Sequence, residues 1–162
     1  MTTYHLIQVV TVVLTGLIAG LLYGYDCSVI RGLGHLPDKE YLKAFQSINR
    51  AIVNPCFLIS FIGSLFMLPI ASWLNFHQAP PFTFYVLLSA AIVYTIGVFG
   101  ITILGNVPLN NLLEDFDISA APAEMAQAMR QKFEARWNVF HHVRTYAAMV
   151  SFLLSVIALV KK

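Results

Sequence analysis

One stretch near the carboxyl end of the chain carries the side chains best suited to chemistry. It covers residues 133–145, Phe-Glu-Ala-Arg-Trp-Asn-Val-Phe-His-His-Val-Arg-Thr, and runs directly into the last long apolar segment. At 3.6 residues per turn, one helical face carries Phe133, Trp137, His141 and Arg144. An imidazole can act as a base at neutral pH, and a guanidinium can stabilise an anion. Because such groups are costly at the edge of a hydrocarbon layer, we expect them to have partners or a task.

Other polar side chains are expected at the same level of the molecule. The candidate catalytic residues are His141, His142 and Arg144, and the candidate substrate-binding residues are Trp137, Asn106, Asn110, Asn111, Asn49, Gln46 and Asn54. Helix packing would bring them together in a polar, partly dry pocket between apolar walls. A pocket of this kind suits a small amphipathic molecule.

The composition excludes an ordinary soluble domain. Of the 162 residues, 58% are hydrophobic and 11% are charged, and no Lys or Arg occurs between residues 51 and 129. Soluble domains have roughly a quarter of their residues charged. The chain is therefore predicted to be an integral membrane protein, and its net charge of +2 gives no reason to expect nucleic-acid binding. Met1–Gln8 contains no Lys or Arg, so the first apolar run is interpreted as a retained span and not as a signal peptide.

Four apolar runs predict an all-α, four-helix transmembrane bundle that forms one domain over residues 1–162. The predicted spans are about 6–25, 55–74, 82–105 and 142–160, each long enough to cross the bilayer or nearly so. A short amphipathic helix is expected between the first two spans. A helix from about Pro122 is expected to run without a break from the aqueous side into the fourth span, with Met125, Met129 and Phe133 as its apolar stripe.

Local signals predict where several helices begin and end. Asp38 is expected to cap the amphipathic helix, and Asn54 is expected to cap the second span. The apolar stripe of the amphipathic helix is Tyr41, Phe45, Ile48 and Ile52. Gly105 is expected to end the third span, and Asn106 to cap a helix that follows. Pro69 is expected to kink the second span.

Small residues predict sites of close helix approach. Gly16, Gly20 and Gly24 recur every fourth residue in the first span, which favours close packing of another helix and leaves a homodimer open. Gly97 and Gly100 are expected to do the same in the third span.

Charge placement gives an orientation for this expected bacterial inner-membrane protein. The two longer connections carry eight basic residues, and the terminal side carries only Lys161 and Lys162. The positive-inside rule therefore predicts cytoplasmic long loops. Cys27 and Cys56 both lie on that side, so they would form a disulfide only if it were oxidising, and a cytoplasmic location favours free thiols.

The residues alone leave the chemistry open. No zinc-type spacing is present, and His5 and His77 are expected at the opposite face from His141, although His35 could join it. No bound cofactor is predicted. A haem- or quinone-binding module is an alternative, since four-helix bundles often hold haem. A non-catalytic protein, in which His141 and Arg144 only pair with loop carboxylates, is another.

Four stretches in this order resemble the anthrone oxygenase-like family of small four-span membrane proteins. They are Tyr-Gly-Tyr-Asp-Cys-Ser-Val after the first span, Gln-Ser-Ile-Asn-Arg-Ala-Ile-Val-Asn-Pro before the second, Asn-Val-Pro-Leu-Asn-Asn from Asn106, and the segment from Trp137 to Thr145. The resemblance covers nearly the whole chain. The chain departs from it at Phe140 and His141, where members often carry Trp and Asn.

The resemblance implies a monooxygenase that oxidises an anthrone to an anthraquinone with O₂, without metal or flavin. His141 or His142 would then remove the benzylic proton, and Trp137 would stack on the polycycle. Arg144 and the amides of Asn106 and Asn110 would hold the enolate oxygen. The implied partners are the lipid bilayer and a lipophilic aromatic molecule, anthrone- or quinol-like.

Overall fold

Five helices account for nearly all of the chain that is described, residues 3–76 and 80–161 of a computed structural model, and no β-strand occurs there. They are α1 (Thr3–Gly34), α2 (Asp38–Ile52), α3 (Pro55–Phe76), α4 (Pro81–Glu114) and α5 (Ala123–Val160). His77 and Lys162 lie outside the described residues. The all-α bundle, the short helix between the first two spans and the long final helix are confirmed.

The four long helices, α1, α3, α4 and α5, are each long and apolar enough to cross a membrane, with mean hydropathy of 1.9–2.2 in their best windows. The protein is therefore a multi-pass integral membrane protein. In the bundle, α1 packs against α3 and α5, and α4 packs against the same two helices. The centre is a cluster that includes Ile18, Phe61, Leu68, Tyr94 and Val98.

The amphipathic helix α2 covers one end of the bundle. Its predicted stripe faces inward, with Tyr41 and Phe45 buried, and both rings join a second cluster with Phe133 and Trp137 of α5. The predicted cap is wrong, because Pro37 occupies the cap position and Asp38 instead pairs with Arg130 at 3.0 Å. This ion pair ties the start of α2 to α5.

The predicted break at Gly105 is also wrong, since α4 runs without interruption from Pro81 to Glu114. Residues Tyr94–Gly100 and Thr102–Asn106 have π-helical hydrogen bonding, and Asn106 keeps helical dihedral angles without capping. A third π-helical segment, Tyr25–Val29, lies near the end of α1. Such segments re-aim side chains within a helix and are frequent at functional sites.

Two glycines of α4 allow α5 to approach closely. A Cβ added at Gly97 would lie 2.6 Å from the Ala147 Cβ, and one at Gly105 would lie 2.7 Å from the Phe140 ring. A Cβ at Gly100 would meet only the carbonyl oxygen of Thr95 in its own helix, so the expectation for Gly100 is not met. The packing of α4 on α5 thus depends on small residues near the polar end of the bundle.

The glycine repeat of α1 points in two directions. A Cβ at Gly16 would lie 3.0 Å from the Phe152 ring of α5, whereas nothing lies within 4 Å of one at Gly20 or Gly24. Gly16 therefore serves packing inside the bundle, and the homodimer stays a prediction.

At the start of α5, Met125 is 55% exposed, so the predicted stripe is wrong there; Ala126 is the buried residue.

Candidate functional site

The predicted face of α5 is directed into the protein. Phe133 and His141 are fully buried, and Trp137 is nearly so. The His141 imidazole stacks on the Trp137 indole, with centroids 5.0 Å apart and planes inclined by 10°. Thr145, one turn further, donates its hydroxyl to the His141 carbonyl oxygen at 2.8 Å. The 3.6-residue periodicity thus places an aromatic base against an aromatic wall.

Arg144 holds the imidazole in one tautomer. Its Nε and one terminal nitrogen lie 3.2 and 3.0 Å from His141 Nδ1. Because a guanidinium can only donate, Nδ1 must accept, and the ring is neutral with its proton on Nε2. That nitrogen lies 3.3 Å from both the Leu22 carbonyl oxygen and the Thr145 hydroxyl. The geometry fixes where a second proton would go, namely Nδ1.

Arg144 has no acidic partner among the described residues. Its guanidinium lies over the Trp137 ring at 5.1 Å, and its remaining contact is a 3.4 Å hydrogen bond to the Thr102 hydroxyl. Two other arginines differ, since Arg130 pairs with Asp38 and Glu134, and Arg50 pairs with Glu114. The structure therefore contradicts the interpretation that His141 and Arg144 pair with loop carboxylates. A cation in this position favours an anion brought by a ligand.

Two asparagines of α4 fix the position of Trp137. Its indole N–H donates to the Asn110 side-chain oxygen at 2.7 Å, and the Asn106 amide donates to its carbonyl oxygen at 3.2 Å. Asn106 is fully buried and its side-chain oxygen has no partner among the described residues. Both asparagines thus hold the wall of the site, and Asn110 also lines its cavity.

These side chains enclose a cavity of about 130 Å³ below α2. It is lined by Leu21, Leu22, Tyr25, Ile48, Asn49, Ile52, Val53, Phe57, Thr102, Val107, Asn110, Trp137, His141 and Arg144. The Tyr25 hydroxyl and the Asn49 side-chain nitrogen are buried and have no hydrogen-bond partner among the described residues. With Arg144, they give a largely apolar cavity three hydrogen-bond donors that can serve a ligand oxygen.

Four predicted site residues lie elsewhere. Gln46 donates to the Leu113 carbonyl oxygen, and Asn111 is exposed and does not line the cavity. Asn54 caps α3, as predicted, by accepting from the Phe57 amide at 3.1 Å.

His142, the fourth, points away from the cavity and is half exposed. Its Nδ1 lies 2.7 Å from Asp26 Oδ1.

The site also contains four residues that the sequence did not predict: Tyr25, Thr102, Thr145 and Phe57. The Tyr25 ring lies 5.2 Å from the His141 ring and 5.6 Å from the Trp137 ring. A signal for Tyr25 existed, because it lies in the Tyr-Gly-Tyr-Asp stretch after the first span. Thr145 likewise closes the Trp137–Thr145 stretch, whereas for Phe57 and Thr102 the sequence has no comparable signal.

The described residues hold no cluster of three or more His, Cys, Asp or Glu side chains that could bind a metal. His5 lies at the start of α1, far along the helix from Tyr25, and His35 is exposed. A cavity of about 130 Å³ is also much smaller than a porphyrin, and both His141 nitrogens have neighbours. Cys27 and Cys56 are free thiols.

Fold and site together define a small multi-pass membrane protein with a largely apolar cavity, bordered by Arg144, at one end of a helical bundle. The family model described as anthrone oxygenase matches residues 44–154, and the chain belongs to this family. The matched segment includes Asn49, Asn110, Trp137, His141 and Arg144, whereas Tyr25 lies before it. No curated protein and no solved structure matches the chain.

Proposed function

We propose that the protein is a membrane oxygenase or oxidoreductase that uses O₂ to oxidise a lipophilic aromatic substrate, anthrone- or quinol-like, without a bound cofactor. The observation that carries this proposal is the Arg144 guanidinium, which borders an apolar cavity and lacks a carboxylate partner among the described residues. An enolate or phenolate oxygen is the charge that such a donor stabilises in a site of low dielectric constant. Membership of the anthrone oxygenase family agrees with this chemistry.

The first chemical step is removal of a proton. Among the described residues, His141 is the only histidine that lines the cavity, so it is the proposed base, and His142 is not. Its Nδ1 accepts hydrogen bonds from Arg144 in this structure. When a substrate oxygen attracts the guanidinium, Nδ1 is released and can accept the substrate proton. Charge then develops on a substrate oxygen in the cavity, where Arg144, Asn49 and Tyr25 supply the donors.

The electrons then pass to O₂. From an anthrone-like substrate, the CH₂ carbon loses two hydrogens and gains one oxygen atom from O₂, and the other oxygen atom leaves as water. A quinol-like substrate loses its two O–H protons and two electrons and becomes the quinone. O₂ takes up both and is reduced to hydrogen peroxide. In both cases the electron-rich anion is the reductant, so the reaction balances without a further cofactor.

A quinone-binding module without turnover is a second candidate. The unpartnered donors of Tyr25 and Asn49 suit a neutral carbonyl oxygen as well as an anion. The two functions differ in O₂ uptake, which only the oxygenase gives.

The test replaces each histidine separately. We expect His141→Asn to lower O₂ uptake with anthrone or an alkylhydroquinone by about 10²–10⁴-fold, the usual contribution of a positioned general base. His142→Asn is the matched control and should retain activity, since its ring lies outside the cavity. Equal rates for both variants and the unmodified protein would exclude His141 as the base. A Soret band in the purified protein would favour the haem alternative.

A further inference from the structure

The size of the cavity limits the part of a substrate that it can enclose. Its volume is about 130 Å³. An apolar protein cavity of about 150 Å³ is known to bind benzene. One six-membered ring therefore fits between Trp137 and the α1 side, whereas three fused rings exceed the space. A tricyclic molecule would require α2 or the α1–α3 contact to open.

A second cavity adjoins the first, toward the side of the bundle. It has a volume of about 350 Å³ and shares Leu21, Ile52 and Phe57 with the first cavity. Its other lining residues are Leu17, Ile18, Asn54, Cys56 and Ser60, and we call it the side groove. Leu17 is 56% exposed on a membrane-spanning helix, so the groove opens toward the acyl chains of the lipid.

The side groove offers a ligand almost no polar partner. The Ser60 hydroxyl donates to the Cys56 carbonyl oxygen at 3.2 Å. The Asn54 amide donates to the Ala51 carbonyl oxygen at 2.9 Å, and its side-chain oxygen caps α3. The first cavity, in contrast, presents the donors of Arg144 and Asn49. Polar and apolar recognition are therefore divided between two connected spaces.

We infer that the natural substrate is a lipid with a single-ring phenolic or quinol head, which occupies the cavity, and an apolar chain, which lies in the side groove. The inference rests on the proposed function and narrows its substrate class from aromatic molecules in general to single-ring lipids. The head oxygen meets Arg144, and the chain passes between Leu21 and Phe57. The substrate enters sideways from the bilayer and never crosses the aqueous loops.

The head is tested by fluorescence, because the chain has only two tryptophans. Trp73 is 68% exposed and remote from the cavity, so Trp73→Phe makes Trp137 the sole indole reporter. The probes are hydroquinone, the same ring with a decyl chain, and anthraquinone. We expect both single-ring probes to quench Trp137 saturably, and anthraquinone to quench it far less.

The chain is tested with the two natural thiols. Both cysteines are exposed, but only Cys56 lines the side groove. N-ethylmaleimide alkylation is followed by peptide mass spectrometry. We expect decylhydroquinone to slow modification of Cys56 several-fold and to leave Cys27 unchanged, and hydroquinone to protect neither. Cys56→Phe should weaken decylhydroquinone binding by about tenfold, the effect of a steric clash in a packed site, and Cys27→Phe should not.

The outcomes separate this inference from the proposed function. If decylhydroquinone quenches Trp137 but leaves Cys56 alkylation unchanged, the chain lies elsewhere and the inference fails. If anthrone is oxidised at His141 and both single-ring probes fail to bind, the substrate class is wrong while the oxygenase stands. If no aromatic probe quenches Trp137 and none supports O₂ uptake, the inference and the proposed function both fail.

Discussion

Replacing Arg144 by methionine separates a functional arginine from a structural one. Methionine keeps an unbranched, apolar side chain of similar length and removes the charge and every N–H donor. The lost interactions are the hydrogen bonds to His141 Nδ1 and the Thr102 hydroxyl and the contact with the Trp137 ring. No carboxylate among the described residues loses a partner, because none pairs with Arg144.

The effect on stability follows from two opposing terms. Each hydrogen bond from the charged Arg144 guanidinium contributes about 1.5–3 kcal/mol. Removing a partly buried cation that lacks a counter-ion relieves a desolvation penalty of several kcal/mol. We therefore expect the free energy of unfolding of Arg144→Met to stay within about 1 kcal/mol of the parent or to rise. Activity should fall by about 10²–10³-fold, as when one oxyanion donor is lost.

Arg130→Met is the matched control on the same helix. Arg130 donates to Asp38, Glu134 and the Leu36 carbonyl oxygen, at 3.0, 2.7 and 2.7 Å. The side chains of Arg130, Asp38 and Glu134 are only 15–36% exposed. Removing the guanidinium therefore leaves two partly buried carboxylates without a partner. We expect this variant to lose about 1–3 kcal/mol of stability, since partial exposure moderates the effect. Each folded molecule should keep full activity.

The measurements are unfolding of the detergent-solubilised variants, followed by circular dichroism, and O₂ uptake per folded molecule. A functional arginine gives a stable, inactive Arg144→Met and a destabilised, active Arg130→Met. Two results would contradict a functional role for Arg144: an Arg144→Met protein that is as unstable as Arg130→Met, and one that turns over at the parent rate. In the first case Arg144 is a structural residue, and in the second the anion lies elsewhere.

Three further predictions concern other positions. Gly97→Ala places a Cβ 2.6 Å from the Ala147 Cβ and should lower the free energy of unfolding by about 1–3 kcal/mol. Gly20→Ala is the control, because its Cβ meets nothing within 4 Å, and its free energy of unfolding should not fall. Thermal melts of the two variants measure the difference. Tyr25→Phe removes a hydroxyl without a partner, so stability should hold while probe affinity in a Trp137 fluorescence titration falls about tenfold. Hydrogen bonds from the Ser119 hydroxyl and nearby amides hold the pKa of Asp117 below its usual range. The turn is therefore stabilised above about pH 4 and loosens as the pH falls through the lowered pKa, which amide hydrogen exchange at Ala120 measures.

The sequence predicts the bundle because hydropathy and periodicity act over whole helices. It fails at Gly105 because a glycine followed by asparagine is a local end signal that tertiary packing overrides. In the structure, Gly105 gives room to the Phe140 ring, and the Asn106 amide serves the Trp137 carbonyl oxygen. Both residues have roles between helices, and single-chain signals cannot distinguish such roles from capping.

For the site, the sequence predicts best what lies on one helix. Trp137, His141 and Arg144 share a face because the spacing on α5 fixes it. Gln46 and Asn54 are predicted as site residues from their level in the membrane, but the structure shows that both side chains satisfy backbone groups. Whether an amide bonds its own loop or a ligand depends on geometry within one turn, which composition and spacing do not contain.

The unsatisfied donors are not a general property of this end of the bundle. On the side where α2 meets α5 and the end of α4, Arg130 pairs with Asp38, and Arg50 pairs with Glu114. Gln46 closes the same side through the Leu113 carbonyl oxygen at 2.8 Å. Among the described residues, the buried side-chain donors without a partner belong to Tyr25 and Asn49, and both residues line the cavity. The paired charges show that this fold can satisfy polar side chains at this end of the bundle. The unpartnered donors at the cavity therefore favour recognition of a ligand oxygen over imperfect packing.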